Sequence, residues 1–124
     1  MERANPPQSV PRQGDTLRRG NLFSPLPPPS PEEHFDTLFA GGRCRVERIV
    51  SHAHASPPGF WYEQAGDEWV VLLQGGAELS LADGERLCLK PGDWVELPAG
   101  CRHRVEETAV GTVWLAVHCA HDTA

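Results

Sequence analysis

From Gly42 onward the chain falls into seven short runs of β-forming residues, each closed within a few positions by turn formers. That rhythm leaves little room for anything but a sandwich or barrel of strands. The runs are Cys44 to Ser51, Glu68 to Gln74, Ala77 to Leu81, Glu85 to Leu89, Trp94 to Leu97, His103 to Glu106 and Thr112 to His118. Asp83-Gly84 is a hairpin signal, because both residues tolerate the positive φ that tight hairpin turns require. Trp69-Val70-Val71-Leu72-Leu73 is apolar on both faces and predicts a central strand covered on both sides. Strand alternation sets Glu68 on the same face as Val70 and Leu72, so a carboxylate ends a row that points into the core. Such burial is costly unless something compensates it.

The 124 residues allow one domain with one core. Eight of the twelve prolines fall within residues 1–31, a density that blocks helix and sheet hydrogen bonding. The expected organisation is a disordered tail over 1–20, an extended arm and short helix over 21–43, the barrel over 44–119 and a tail over 120–124. Asn21 to Pro31 is expected to lie against the domain through Leu22, Phe23 and Leu26. The helix is predicted from Ser30 as cap, Pro31 at the first helical position, Glu32 and Glu33 in the positive first turn, and Phe35, Leu38 and Phe39 as an apolar face ended by Gly41-Gly42.

A formal charge of −6 repels phosphate backbones and anionic lipid, so neither nucleic acid nor a membrane is an expected partner. No segment approaches the roughly 20 apolar residues of a membrane helix, and the N-terminal residues lack the apolar run of a signal peptide. A cytoplasmic protein is expected. Cys44, Cys88, Cys101 and Cys119 form no C-x-x-C pair and read as buried free thiols.

Between Gly92 and Glu107 the sequence reads G-D-W-V-E-L-P-A-G-C-R-H-R-V-E-E, the pattern G-x5-P-x-G-x2-H-x3-E. Pro91-Gly92 turns the chain, Trp94 to Leu97 makes a strand, and Pro98-Ala99-Gly100 makes a tight corner. The imidazole of His103 then starts the next strand pointing inward. This pattern resembles the second motif of the cupin superfamily, with Glu107 where asparagine is usual. The first cupin motif, G-x5-H-x-H-x3,4-E-x6-G, is half present: Glu68-x6-Gly75 matches. A four-residue spacer puts Trp61 and Glu63 at the histidine positions, and a three-residue spacer puts Tyr62 and Gln64 there. With W-Y-E-Q, E-W-V-V-L-L-Q-G and W-L-A-V-H, the chain is similar to small bacterial single-domain cupins.

The resemblance implies a double-stranded β-helix, a jelly-roll-like barrel whose motif carboxylate and histidines bind a divalent metal such as iron, manganese, zinc or nickel. Only Glu68 and His103 carry over residue by residue. A third ligand is needed to hold a metal well, and Glu63 is the first choice because it replaces a ligand histidine in the four-residue count. His52 and His54 stand in reserve. Glu68 paired with Arg104, and His103 bonded to a backbone carbonyl, are the structural alternatives. The expected function is a small-molecule-binding protein with a divalent metal inside the barrel. If an enzyme, it would be a dioxygenase, isomerase or decarboxylase acting on an acidic or oxygen-rich substrate, with Glu63 or Tyr62 as acid or base. A metal-free ligand-binding or sensor barrel is the alternative, and the resemblance also implies a homodimer paired through sheet edges.

Overall fold

The computed structural model describes residues 17–121. Eight strands run in chain order: β1 His34–Gly41, β2 Cys44–His52, β3 Asp67–Gln74, β4 Ala77–Leu81, β5 Arg86–Leu89, β6 Trp94–Leu97, β7 His103–Thr108 and β8 Val110–Cys119. All pair antiparallel, in a five-stranded sheet of order β1-β2-β8-β3-β6 and a three-stranded sheet of order β5-β4-β7. Val70, Leu72, Leu97, Trp114 and Ala116 from the larger sheet meet Leu79 from the smaller one in a shared buried core. The seven expected runs appear as β2 to β8, and Asp83-Gly84 closes the β4–β5 hairpin with Gly84 at φ 99°.

The short helix is a correction, and the described residues contain no helix at all. Phe35, Leu38 and Phe39 lie in β1, which pairs with β2 from His34↔Val50 to Gly41↔Cys44. The capping signals at Ser30 to Glu33 are local, whereas β2 offers a free edge that satisfies a whole row of backbone groups. Gly41, read with Gly42 as a helix stop, ends β1, and Gly42-Arg43 is the turn of that hairpin. Asp36 lies opposite Arg48 and forms a close ion pair with it. Of the expected tails, residues 1–16 and 122–124 lie outside the described residues.

In the arm ahead of β1, Leu22 and Leu26 are half-buried and Phe23 is exposed, and polar contacts tie the arm to the domain. Buried Arg48 donates to the carbonyls of Leu22 and Pro25. His52 Nε2 bonds the carbonyl of Pro27, and His54 Nε2 that of Ser30.

The four-free-thiol expectation is a second correction. The β2–β8 register sets Cys44 opposite Cys119, and the two form a disulfide across 75 residues of sequence. Linear spacing could not show that pairing, because it arises from the crossover that brings the last strand beside β2. Cys88 and Cys101 are free, Cys88 being exposed and Cys101 half-buried. A smaller correction concerns β3: Glu68, Val70 and Leu72 are buried, but Trp69, Val71 and Leu73 on its other face are only partly covered.

Two motif glycines have clear geometric reasons. Gly75 has φ 92°, and a Cβ there would lie 2.7 Å from the Cα of Thr112. Gly100 has φ 81° in the corner before β7, where its N–H donates to the carbonyl of Gln64.

Candidate functional site

The inner face of each long strand turns from apolar to polar toward one end of the barrel. On β3 it reads Leu72, Val70, Glu68; on β8, Trp114, Ala116, His118; on β2, Ile49, Glu47, Arg45. The register makes these polar ends coincide, since His118 lies directly opposite both Glu68 on β3 and Arg45 on β2. A cavity of about 200 Å³ opens there, floored by Val70, Leu79, Leu97 and Trp114.

The segment before β3 forms one wall. Tyr62 exchanges both backbone hydrogen bonds with His103, and the Gly100 corner holds Gln64. Asp67 Oδ1 accepts from the Ala99 N–H, tying the same corner to β3. Backbone alternation then points Tyr62 and Gln64 into the cavity and Glu63 away from it. The residues that the three-residue spacing names, Tyr62 and Gln64, are thus the ones that line the cavity. Tyr62 stacks on the His103 ring at 5.4 Å between centroids, and burial first, then the charges of Glu33 and Glu68, pushes its phenol pKa up.

Glu68 and His103 are brought together, with His103 Nε2 3.8 Å from Glu68 Oε1. His118 Nε2 lies 3.9 Å from the other oxygen, Oε2, and 3.1 Å from Glu47 Oε1. Glu68 is only 9% exposed. Burial is the main cause that raises its pKa above the usual carboxylate value; the two imidazoles pull the other way, His118 first.

The hydrogen bonds fix the imidazole tautomers. His103 Nδ1 meets the carbonyl of Cys101 at 3.0 Å, and a carbonyl only accepts, so Nδ1 carries a proton and Nε2 faces Glu68. His118 Nε2–H donates to Glu47.

Glu63 does not join this group: its side chain is 60% exposed and lies 3.9 Å from Arg102. His52 and His54 are also elsewhere and fully engaged. His52 Nδ1 accepts from the Gly111 N–H and His54 Nδ1 from the His52 N–H, while both Nε2 atoms hold the arm. Arg104 pairs with Glu106 and with the carbonyls of Ser56, Pro57 and Phe60, not with Glu68. Glu47 and His118 are the site residues that motif reading missed. The available signal was alternation, which gives Trp114, Ala116 and His118 one face.

Two stacked antiparallel sheets with a buried carboxylate between imidazoles at one end define a small barrel protein built around an internal polar site. A cupin-domain family model matches residues 46–118, and the chain belongs to the cupin family. A structure from Ralstonia eutropha, provisionally named a mannose-6-phosphate isomerase, is 44% identical with a TM-score of 0.81, over 85% of this chain and all of that one. A cupin superfamily protein from Desulfitobacterium hafniense (18% identity, TM-score 0.70, 86% of this chain and 94% of that one) and KdgF from Halomonas sp. (16%, 0.64, 75% and 84%) share the fold. No curated protein matches.

Proposed function

We propose that the barrel cavity binds a small polar organic molecule and moves a proton on it, with Glu68 as the proton carrier. The observation that supports this most directly is a carboxylate 9% exposed, its two oxygens facing two different imidazoles. Burial raises the Glu68 pKa above the ordinary carboxylate value, which favours a group that takes up and gives back a proton. Both Glu68 gaps, 3.8 and 3.9 Å, exceed hydrogen-bond length, so a hydroxyl of the ligand can sit between Glu68 and His103 and donate to one of them. His103 Nε2, which carries no proton, then accepts a hydrogen bond from a ligand hydroxyl, and the Nε2–H bond to Glu47 holds the His118 ring beside Glu68. Tyr62 and Gln64 orient the ligand, and Val70, Leu97 and Trp114 exclude water from its far side. About 200 Å³ is room for about seven waters' share of liquid volume, which limits the reacting part to a few carbons.

A divalent metal, which the family resemblance implies, does not fit the residues as they are arranged. Glu63 points away, His118 Nε2 is engaged by Glu47, and among the described residues no three His, Cys, Asp or Glu side chains are placed to hold a metal ion. No step is therefore routed through one. The reaction class favoured is isomerisation beside a carbonyl, which needs a single group able to act as base and then acid; the isomerase name of the Ralstonia structure agrees with that class.

The test is C–H exchange into D2O, followed by NMR, across a panel of small hydroxycarbonyl compounds. Wild-type protein is expected to exchange at least one of them, and Glu68→Gln to slow that exchange by about 100-fold or more. Equal exchange by the folded Glu68→Gln variant would overturn the reading.

A further inference from the structure

The cavity is not closed at its polar end. It shares Arg45, Gln64 and His118 with a wide groove of about 770 Å³, which runs over the β1–β2 hairpin, the Gln64 to Asp67 segment and the end of β8. The groove differs from the cavity in charge. Its lining includes Arg43, Arg45, His118 and His121, and among the described residues its one carboxylate is Asp67. Both Asp67 oxygens are engaged, Oδ1 by the Ala99 N–H and Oδ2 by His121 Nδ1 at 3.3 Å. The cavity, by contrast, is lined by Glu33, Glu47 and Glu68.

Arg45 stands at the boundary. Its side chain is half-exposed, and Nε lies 3.8 Å from Glu47 Oε2, longer than a hydrogen bond. Glu47's other oxygen is engaged by His118. The disulfide between Cys44 and Cys119 fixes the two residues directly before Arg45 and after His118, so this cation is set on a braced backbone. Gly41, Gly42 and Gly66 also line the groove, and Gly42 faces open space.

We infer that the groove is an oxyanion subsite for the ligand whose reacting end enters the cavity, with Arg45 as the residue that binds the anionic group. The ligand class is then a small hydroxy- or oxo-compound carrying a carboxylate or a phosphate a few bonds from the reacting carbon. The inference rests on the proposed reaction, because it takes the Glu68 end as the place where chemistry happens. A planar guanidinium offers paired donors matched to either oxyanion. The Arg45 charge also acts on Glu68 and favours its ionised form, which places the two ends within electrostatic reach.

The experiment is a chemical-shift titration of the full-length chain with three probes: inorganic phosphate, glycolate and neutral ethylene glycol. Phosphate or glycolate should shift Arg45 and His118 resonances and saturate. Arg45→Gln should weaken that binding about tenfold or more, because it removes the charge-assisted hydrogen bonds to the anion. Arg45→Lys should retain part of it, and Glu68→Gln should keep saturable anion binding at the groove, since it leaves the guanidinium in place and removes a nearby negative charge. Shifts with phosphate alone or glycolate alone name the oxyanion. Absence of anion binding at the groove, or binding unchanged in folded Arg45→Gln, would overturn the inference. Loss of C–H exchange in Glu68→Gln with anion binding intact separates the two ends, so the failure of one reading is distinguishable from failure of the other.

Discussion

Glu68 illustrates how a single residue trades stability for chemistry. Its folded pKa is raised, so between the ordinary carboxylate value of 4.5 and its folded value the native state holds a proton that the unfolded chain has lost. Stability linked to Glu68 is therefore greatest below 4.5 and declines as pH rises through the folded pKa. Glu68→Gln removes that decline, and urea unfolding at pH 5 and pH 8 should show the variant gaining on wild type as pH rises. A constant difference at the two pH values would contradict it. Asp36 has the opposite sign: despite its burial, hydrogen bonds from Arg48 and His34 hold its pKa down, so its contribution is lost as pH falls through the folded value. At this scale Glu68 and His103 were legible because strand alternation and a corner motif are local. Glu47 and His118 were not, since their meeting depends on which distant strands become neighbours. Glu63 and Tyr62 differ by one position, and a one-residue choice of spacing reverses which side chain enters the cavity.

At the scale of elements, the strand pattern of β2 to β8 was readable from turn residues and apolar runs, while β1 was not. Its helix-like start signals amount to a few tenths to one kcal/mol each. Seven paired residues of ladder with β2 and the Asp36–Arg48 pair outweigh them. The disulfide belongs to this scale as well, because it joins the β1–β2 hairpin end to the last residue of β8. Closing a loop of 75 residues restricts the unfolded chain by about 4 kcal/mol in the chain-entropy account. The Cys44→Ser, Cys119→Ser double variant should lose roughly 2–4 kcal/mol in urea unfolding. A reducing agent should lower wild type by a similar amount and leave the variant unmoved. Equal stabilities of the two proteins under oxidising conditions would show that the cross-link contributes nothing.

Across the whole molecule, the fold separates two tasks. The far half of the space between the sheets is filled by Leu72, Leu79, Trp114 and Ala116, and the near half is a polar cavity that the same strands frame. The corner at Pro98 to Gly100 explains how a short motif organises both: its N–H groups hold the Gln64 carbonyl and the Asp67 carboxylate, and His103 just beyond it pairs with the Tyr62 backbone. The barrel was legible because each of its strands carries its own periodicity. The site was only half legible because its other corners come from register, which no single segment encodes. The account stands on Glu68 being a proton carrier at working pH. Titration of its side-chain carboxyl by 13C NMR measures this most directly. The account predicts a midpoint above 4.5 that moves when His118 is replaced by Gln; a midpoint at or below 4.5 would contradict it.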